Sequence, residues 1–177
     1  MYMRMQNNIS LSPHFELREF TESATARKHG IVNEPPDEAV ENLKALCVNT
    51  LEPLREALGL PIVITSGYRC KALNDLITHH STRSQHVDGC AADFWVKGPA
   101  EIKEIAERTG ASRRELLIRA FRTMIVDDSI DFDQLILYPS FIHVSYVSRE
   151  RNRRKLIRAF GNGKYQGLSR AQAMALG

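Results

Sequence analysis

The sequence predicts an α+β fold, with helices packed on a small, mainly antiparallel sheet. Two observations carry this. Val40, Leu43, Cys47, Leu51, Leu54 and Leu58 recur at helical spacing, the stripe of one buried helix face. Short strand-like runs stand apart from it at 61–65, 89–96, 134–138 and 142–147, the last two joined through Pro139-Ser140 as a hairpin. Helices segregated from a hairpin-built sheet are the mark of an α+β domain. A chain of 177 residues is long enough for one such domain with a real core.

Taken in order, residues 1–10 are polar and are expected to form a flexible N-terminus. They carry no hydrophobic signal core, so the chain is expected to be cytoplasmic as synthesised. Phe15, Leu17 and Phe20 follow as a short apolar anchor, and residues 23–29 read as a short helix that Gly30 stops. Pro35-Pro36-Asp37 opens the long helix, which Pro53 should kink or break and Gly59 should end. Residues 61–65 read as a core strand that leaves through the turn Ser66-Gly67-Tyr68-Arg69. A short helix is expected at 71–77, a polar loop at 78–85, a second strand at 89–96 and a helical region at 98–123, interrupted near Gly110. After the 134–147 hairpin, the basic stretch from Arg149 is expected to be helical. Gly161-Asn162-Gly163 should break it. The expected organisation is thus 1–10 flexible, 11–160 one domain and 161–177 a tail.

Composition narrows the partners. At 43% hydrophobic and 25% charged residues this is an ordinary globular chain, and no apolar run reaches a membrane span, so none is expected. The net charge is only +3, concentrated in Arg149, Arg151, Arg153, Arg154, Lys155 and Arg158. That cluster reads as a solvated face, and without aromatic interleaving or a nucleic-acid motif no nucleic-acid partner is expected. Three cysteines, Cys47, Cys70 and Cys90, form no disulfide framework and read as small buried side chains.

The chemistry lies in Ser84-Gln85-His86-Val87-Asp88-Gly89-Cys90-Ala91-Ala92-Asp93 and in Phe141-Ile142-His143-Val144-Ser145. Asp93 and His143 fall within expected strands, where alternation fixes side-chain direction. A turn through Asp88-Gly89 can bring His86 back beside Asp93, and glycine suits such a turn. The three side chains make a mixed N/N/O ligand set for zinc or another divalent metal. A single histidine is more often a surface or core residue, and His79-His80 reads as structural or as a site rim. Arg69, directly after a strand, suits a carboxylate or a developing oxyanion.

The combination Ser66-Gly67-Tyr68-Arg69, Leu73-Asn74, Ser84-Gln85-His86-x-x-Gly89-x-Ala91-x-Asp93 and His143-Val144-Ser145 resembles the zinc D-Ala-D-Ala carboxypeptidase family. Leu11-Ser12-Pro13-His14-Phe15, Asn33-Glu34-Pro35, Asn42-Leu43, Leu51-Glu52-Pro53-Leu54-Arg55, Phe132-Asp133-Gln134 and Arg151-Asn152-Arg153 are similar to its prophage branch. The resemblance implies a fold shared with the Hedgehog signalling domain and with D-Ala-D-Ala dipeptidases. It implies one zinc ion on His86, Asp93 and His143, and hydrolysis of peptidoglycan stem-peptide bonds by carboxypeptidase or endopeptidase action. Arg69 would then grip a substrate carboxylate or acyl oxygen, with Ser84 and Gln85 lining the metal site and Gln85 donating to substrate. The resemblance also implies action on the cell wall after lysis or non-classical export, or within a phage particle; the sequence does not fix the oligomeric state, and a monomer is expected.

One departure stands out. Relatives place a catalytic carboxylate three or six residues before the last histidine, where this chain has Ser140 and Leu137. Tyr138, between them, is expected to orient substrate or to stabilise an oxyanion. Asp133 and Asp88 are the nearest other carboxylates, and the general base is not identified. A catalytically weak zinc module that binds peptidoglycan or serves as a phage structural part is the alternative.

Overall fold

The computed structural model describes residues 9–77, 84–98 and 112–177. Strands β1 (Ser10–Ser12) and β2 (Phe15–Glu16) pair as a small ribbon, followed by helices α1 (Leu17–Thr21) and α2 (Ala24–His29). Ser23 caps α2 by accepting from Ala26 N–H, and Gly30 ends it at φ 64°, a conformation open to glycine without a Cβ penalty.

Helix α3 (Asp37–Leu46) and helix α4 (Glu52–Leu58) form one rod, joined by a π-helical turn over Cys47–Leu51. Pro53 is the cause. Its nitrogen has no hydrogen to give the Asn49 carbonyl four residues earlier, and its ring crowds that carbonyl. The rod neither breaks nor stops. It widens by one residue, so that Glu52 N–H reaches Cys47 O, and the freed Asn49 carbonyl accepts from Asp131 N–H at 3.0 Å. Thr50 Oγ1 adds a bond to Asp131 O. The rod thereby holds the segment that enters β5.

The main sheet has six strands in the order β3 (Ile62–Ser66), β4 (Ala91–Val96), β6 (Ile142–Ser145), β5 (Gln134–Leu137), β7 (Lys155–Ala159), β8 (Tyr165–Leu168). Every pairing is antiparallel except β5 with β7. The fold is α+β, as expected. Helix α5 is Lys71–Leu76, α6 is Ser112–Val126 and α7 is Arg170–Met174.

Strand alternation divides the sheet into two faces. Phe94, Val96, Leu135, Leu137, Ile142, Val144 and Leu156 point into the core, against Leu43, Leu54, Phe121 and Met124 of the helices. Asp93, His143, Ile136 and Ile157 lie in one paired row on the opposite face.

Several expectations are corrected. The strand at 61–65 is an edge strand, half-buried rather than central. The basic stretch after Arg149 is not helical: it contains β7, in which Leu156 faces the core and Ile157 the other side. Residues 161–177 are not a loose tail. Gly161 and Gly163, both at φ 78°, turn the chain into β8, and Ala173 of α7 is fully buried in the core. Cys47 is buried, but Cys70 and Cys90 sit half-exposed in the turns that flank the site. The expectations for residues 1–8, for the interruption near Gly110 and for His79-His80 fall outside the described residues. Among the described residues no helix is long and apolar enough to cross a membrane.

Candidate metal centre

The site is assembled by register. Asp93 on β4 stands directly opposite His143 on β6, so their side chains share one face. His86 arrives from the turn before β4, closed by Gly89 N–H to His86 O and Cys90 N–H to Gln85 O. That turn must press against α3. Gly89 has φ 71°, and a Cβ there would lie 2.4 Å from Ala39 O. Asn42 Nδ2 ties the same turn by donating to Asp88 O.

A second loop, 66–70, supports the cluster from behind. Gly67 lies so close to α1 that a Cβ would meet Phe20 Cβ at 2.5 Å, and its carbonyl accepts from His86 Nδ1 at 2.6 Å. That bond assigns the proton to Nδ1 and turns the Nε2 lone pair toward Asp93 and His143. Asn33 pins the loop from both sides, donating to Tyr68 O and accepting from Cys70 N–H.

Three ligand atoms converge. His86 Nε2 is 3.2 Å from His143 Nδ1 and 3.3 Å from Asp93 Oδ1, and His143 Nδ1 is 2.8 Å from Asp93 Oδ1. Donors on a tetrahedral zinc at ~2.05 Å lie about 3.3 Å apart. The donor set fits the ion and two of the three separations match that spacing, the Asp93–His143 pair being closer, and among the described residues these three alone form such a group. Arg69 Nη2 donates to the other Asp93 oxygen at 2.7 Å and Arg69 Nε donates to Ser66 Oγ, which orients the carboxylate and leaves Oδ1 toward the imidazoles. Burial lowers the His86 pKa and so favours the neutral, ligating form. Burial opposes ionisation of Asp93, but its interactions with His86 and His143 outweigh it and hold the carboxyl well below its usual range.

A cavity of about 850 Å³ opens over the cluster, lined in part by Arg69, Ser84, Gln85, Tyr138 and Ser140. The structure thus brings together His86, Asp93, His143, Arg69, Ser84, Gln85 and Tyr138. It does not bring the two candidate bases with them. Asp88 is exposed on the turn, away from the cavity lining. Asp133 is buried, and its carboxylate is consumed: Oδ1 accepts from Arg153 N–H and Nε, and Oδ2 from Arg153 Nη2 and Gln85 Nε2. Burial raises its pKa, yet these bonds bring it down to about 2. One Gln85 donor is therefore already spent on Asp133 rather than free for substrate. Leu137 is fully buried in the core. Asp93 is the only carboxylate among the described residues that line the cavity.

Sequence reasoning missed the supports of the site. Ser66, Gly67 and Asn33 fall in the quoted motifs, but their supporting bonds to Arg69, His86 and the 68–70 backbone do not show in the sequence, and Arg153, Lys164 and Tyr165 reach the cavity through pairings beyond the hairpin. No curated protein matches the chain. Residues 13–125 match the model of the Peptidase M15 family. The match takes in Arg69, His86 and Asp93 and ends before His143, which the β4–β6 register supplies.

Proposed function

The chain belongs to the Peptidase M15 family, and on that premise we propose that it is a zinc-dependent hydrolase of peptidoglycan stem-peptide amides. The observation that carries the reading is the convergence of His86 Nε2, Asp93 Oδ1 and His143 Nδ1 at the floor of an open cavity. Zinc held by these atoms would supply a Lewis acid and a water of lowered pKa. The chain's own residues do the rest. Arg69 keeps Asp93 ionised and aimed, and brings a positive charge to the place where an amide oxygen would gain negative charge. Tyr138, stacked on Phe141 at 4.2 Å between centroids, presents its hydroxyl over the cavity to position the scissile segment. Gln85 has a second N–H donor for substrate.

No described lining carboxylate other than the ligand Asp93 is available to take a proton from water. General acid–base assistance is worth about two to four orders of magnitude, so turnover is expected to be slow. The same observation favours the second reading, a zinc-containing module that binds peptidoglycan or serves in a phage particle. The prophage origin, action on the wall after lysis or non-classical export, and a monomeric state belong to this proposal.

Isothermal titration with zinc, followed by incubation of the loaded protein with purified peptidoglycan, tests it. One zinc per chain and zinc-dependent release of peptide fragments are expected. Release that persists after chelation contradicts the hydrolase. Tight zinc binding without any release favours the module.

A further inference from the structure

The cavity does not end at the metal cluster. Register carries one row across the sheet from Asp93 and His143 through Ile136 on β5 and Ile157 on β7 to Gly167 on β8. Paired residues share a face, so this row is a continuous floor. It is polar at the cluster and apolar beyond it, where Ile136, Ile157 and Ala159 line the cavity. Three strand spacings of ~4.8 Å span about 14 Å, the length of about four extended residues.

One side of this floor is an aromatic wall. Tyr138 and Tyr165 meet edge to face at 6.2 Å between centroids, their hydroxyls 3.2 Å apart, and Tyr165 stays 56% exposed. The far end is open. β8 is the last strand of the sheet, and a Cβ built on Gly167 meets nothing within 4 Å, at a backbone conformation that any residue can adopt. A strand glycine that packing does not require often marks close approach of a ligand or another backbone.

The charges favour an anion. Arg69 is paired with Asp93 and Arg153 with Asp133, which leaves Lys164 as the cavity cation with no ion-pair partner among the described residues.

We propose that the sheet face over β5, β7 and β8 is a second binding site, a groove that takes an extended, carboxylate-bearing peptide segment and leads it past Tyr165 and Lys164 to the open edge at Gly167. The proposal rests on the peptidase reading above and deepens it. A groove open at this end admits further chain on one side of the scissile bond, so longer acidic peptides are the better substrates.

The test uses the full, zinc-loaded chain and a series of synthetic acidic stem-type peptides. The series is extended by zero to about four residues on either side of the scissile amide, with a side-chain-amidated copy of the longest. For the wild type, kcat/KM is expected to rise by about tenfold or more with extension on one side and to fall on amidation. In Gly167→Trp, whose side chain fills the open end, the ratio of longest to shortest peptide should drop to about one. Tyr165→Ala should lower the same ratio, and Lys164→Gln should erase the effect of amidation. A wild-type ratio near one, or a Gly167→Trp ratio equal to the wild type's, overturns the groove even when turnover is zinc-dependent. If no peptide is turned over, the hydrolase reading fails and the groove is read separately by calorimetric titration of the longest peptide. About tenfold weaker binding to Gly167→Trp then supports it, and equal or absent binding overturns it. Thermal unfolding of Gly167→Trp near the wild-type temperature confirms that the variant folds.

Discussion

Asp93 on β4 and Asp133 just before β5 are two buried carboxylates, each grasped by an arginine, yet they are left with different chemistry to offer. Arg69 takes one oxygen of Asp93 and leaves Oδ1 facing two imidazoles. Arg153 spans both oxygens of Asp133, and Gln85 adds a further donor. What separates a ligand from a structural anchor is therefore the number of lone pairs left unclaimed. Residue type, burial and an arginine partner are shared by both.

The largest expected effect comes from removing the unclaimed oxygen. Asp93→Asn should weaken zinc binding by more than about 100-fold, since loss of a ligand exceeds the 10–100-fold cost of losing an outer partner. Competition with a chromogenic chelator measures it. Asp133→Asn should do the reverse, lowering stability by about 2–3 kcal/mol in urea unfolding while zinc affinity stays within about threefold. That estimate lies below the full cost of breaking a buried pair because Arg153 is half exposed. Complete loss of hydrolysis in a folded, zinc-loaded Asp133→Asn protein would make Asp133 the base and break the comparison.

Arg69→Ala should cost about 10–100-fold in zinc affinity, the usual scale for an outer-shell partner. Arg69→Lys should recover only part of it, because one ammonium does not replace the pair of donors aimed at Asp93 and Ser66.

The smallest effect is on pH. His86 and both carboxylates have depressed pKa values in the folded chain. Each binds fewer protons folded than unfolded, so each contributes stability above its unfolded pKa and loses it on acidification. Metal-free protein should start to weaken below about pH 6.5, the ordinary histidine value, through His86. A second loss follows as pH falls from 3.8 toward about 2 through Asp133. Unfolding midpoints measured across that range check the order of the two losses. Stability that is flat from pH 7 to 5 contradicts the burial of a neutral His86.

Much of the site was legible because it depends on local spacing. The His86-to-Asp93 segment carries its own turn glycine, and Asp93 and His143 lie in strands whose alternation sets their direction. The helix stripe from Val40 to Leu58 was legible for the same reason. At Pro53 the sequence indicated a disturbance but not its form, because the π-helical turn depends on Asp131 arriving to take the Asn49 carbonyl.

The C-terminal strands were illegible for physical reasons. Leu156 and Ile157 are adjacent and both apolar because one faces the core and the other the groove, which erases the two-residue alternation. β8 has a glycine where a strand former would be expected. The role of Asp133 was hidden because Arg153 reaches it only through the parallel pairing of β5 with β7.

The most direct test is mass spectrometry of muropeptides after purified peptidoglycan is incubated with zinc-loaded wild type, Asp93→Asn and Asp133→Asn side by side, each beside a chelated control. The account predicts slow, zinc-dependent cleavage by the wild type and Asp133→Asn, and none by Asp93→Asn. Unchanged muropeptides in every zinc-loaded sample, or cleavage by Asp93→Asn equal to the wild type's, would contradict it.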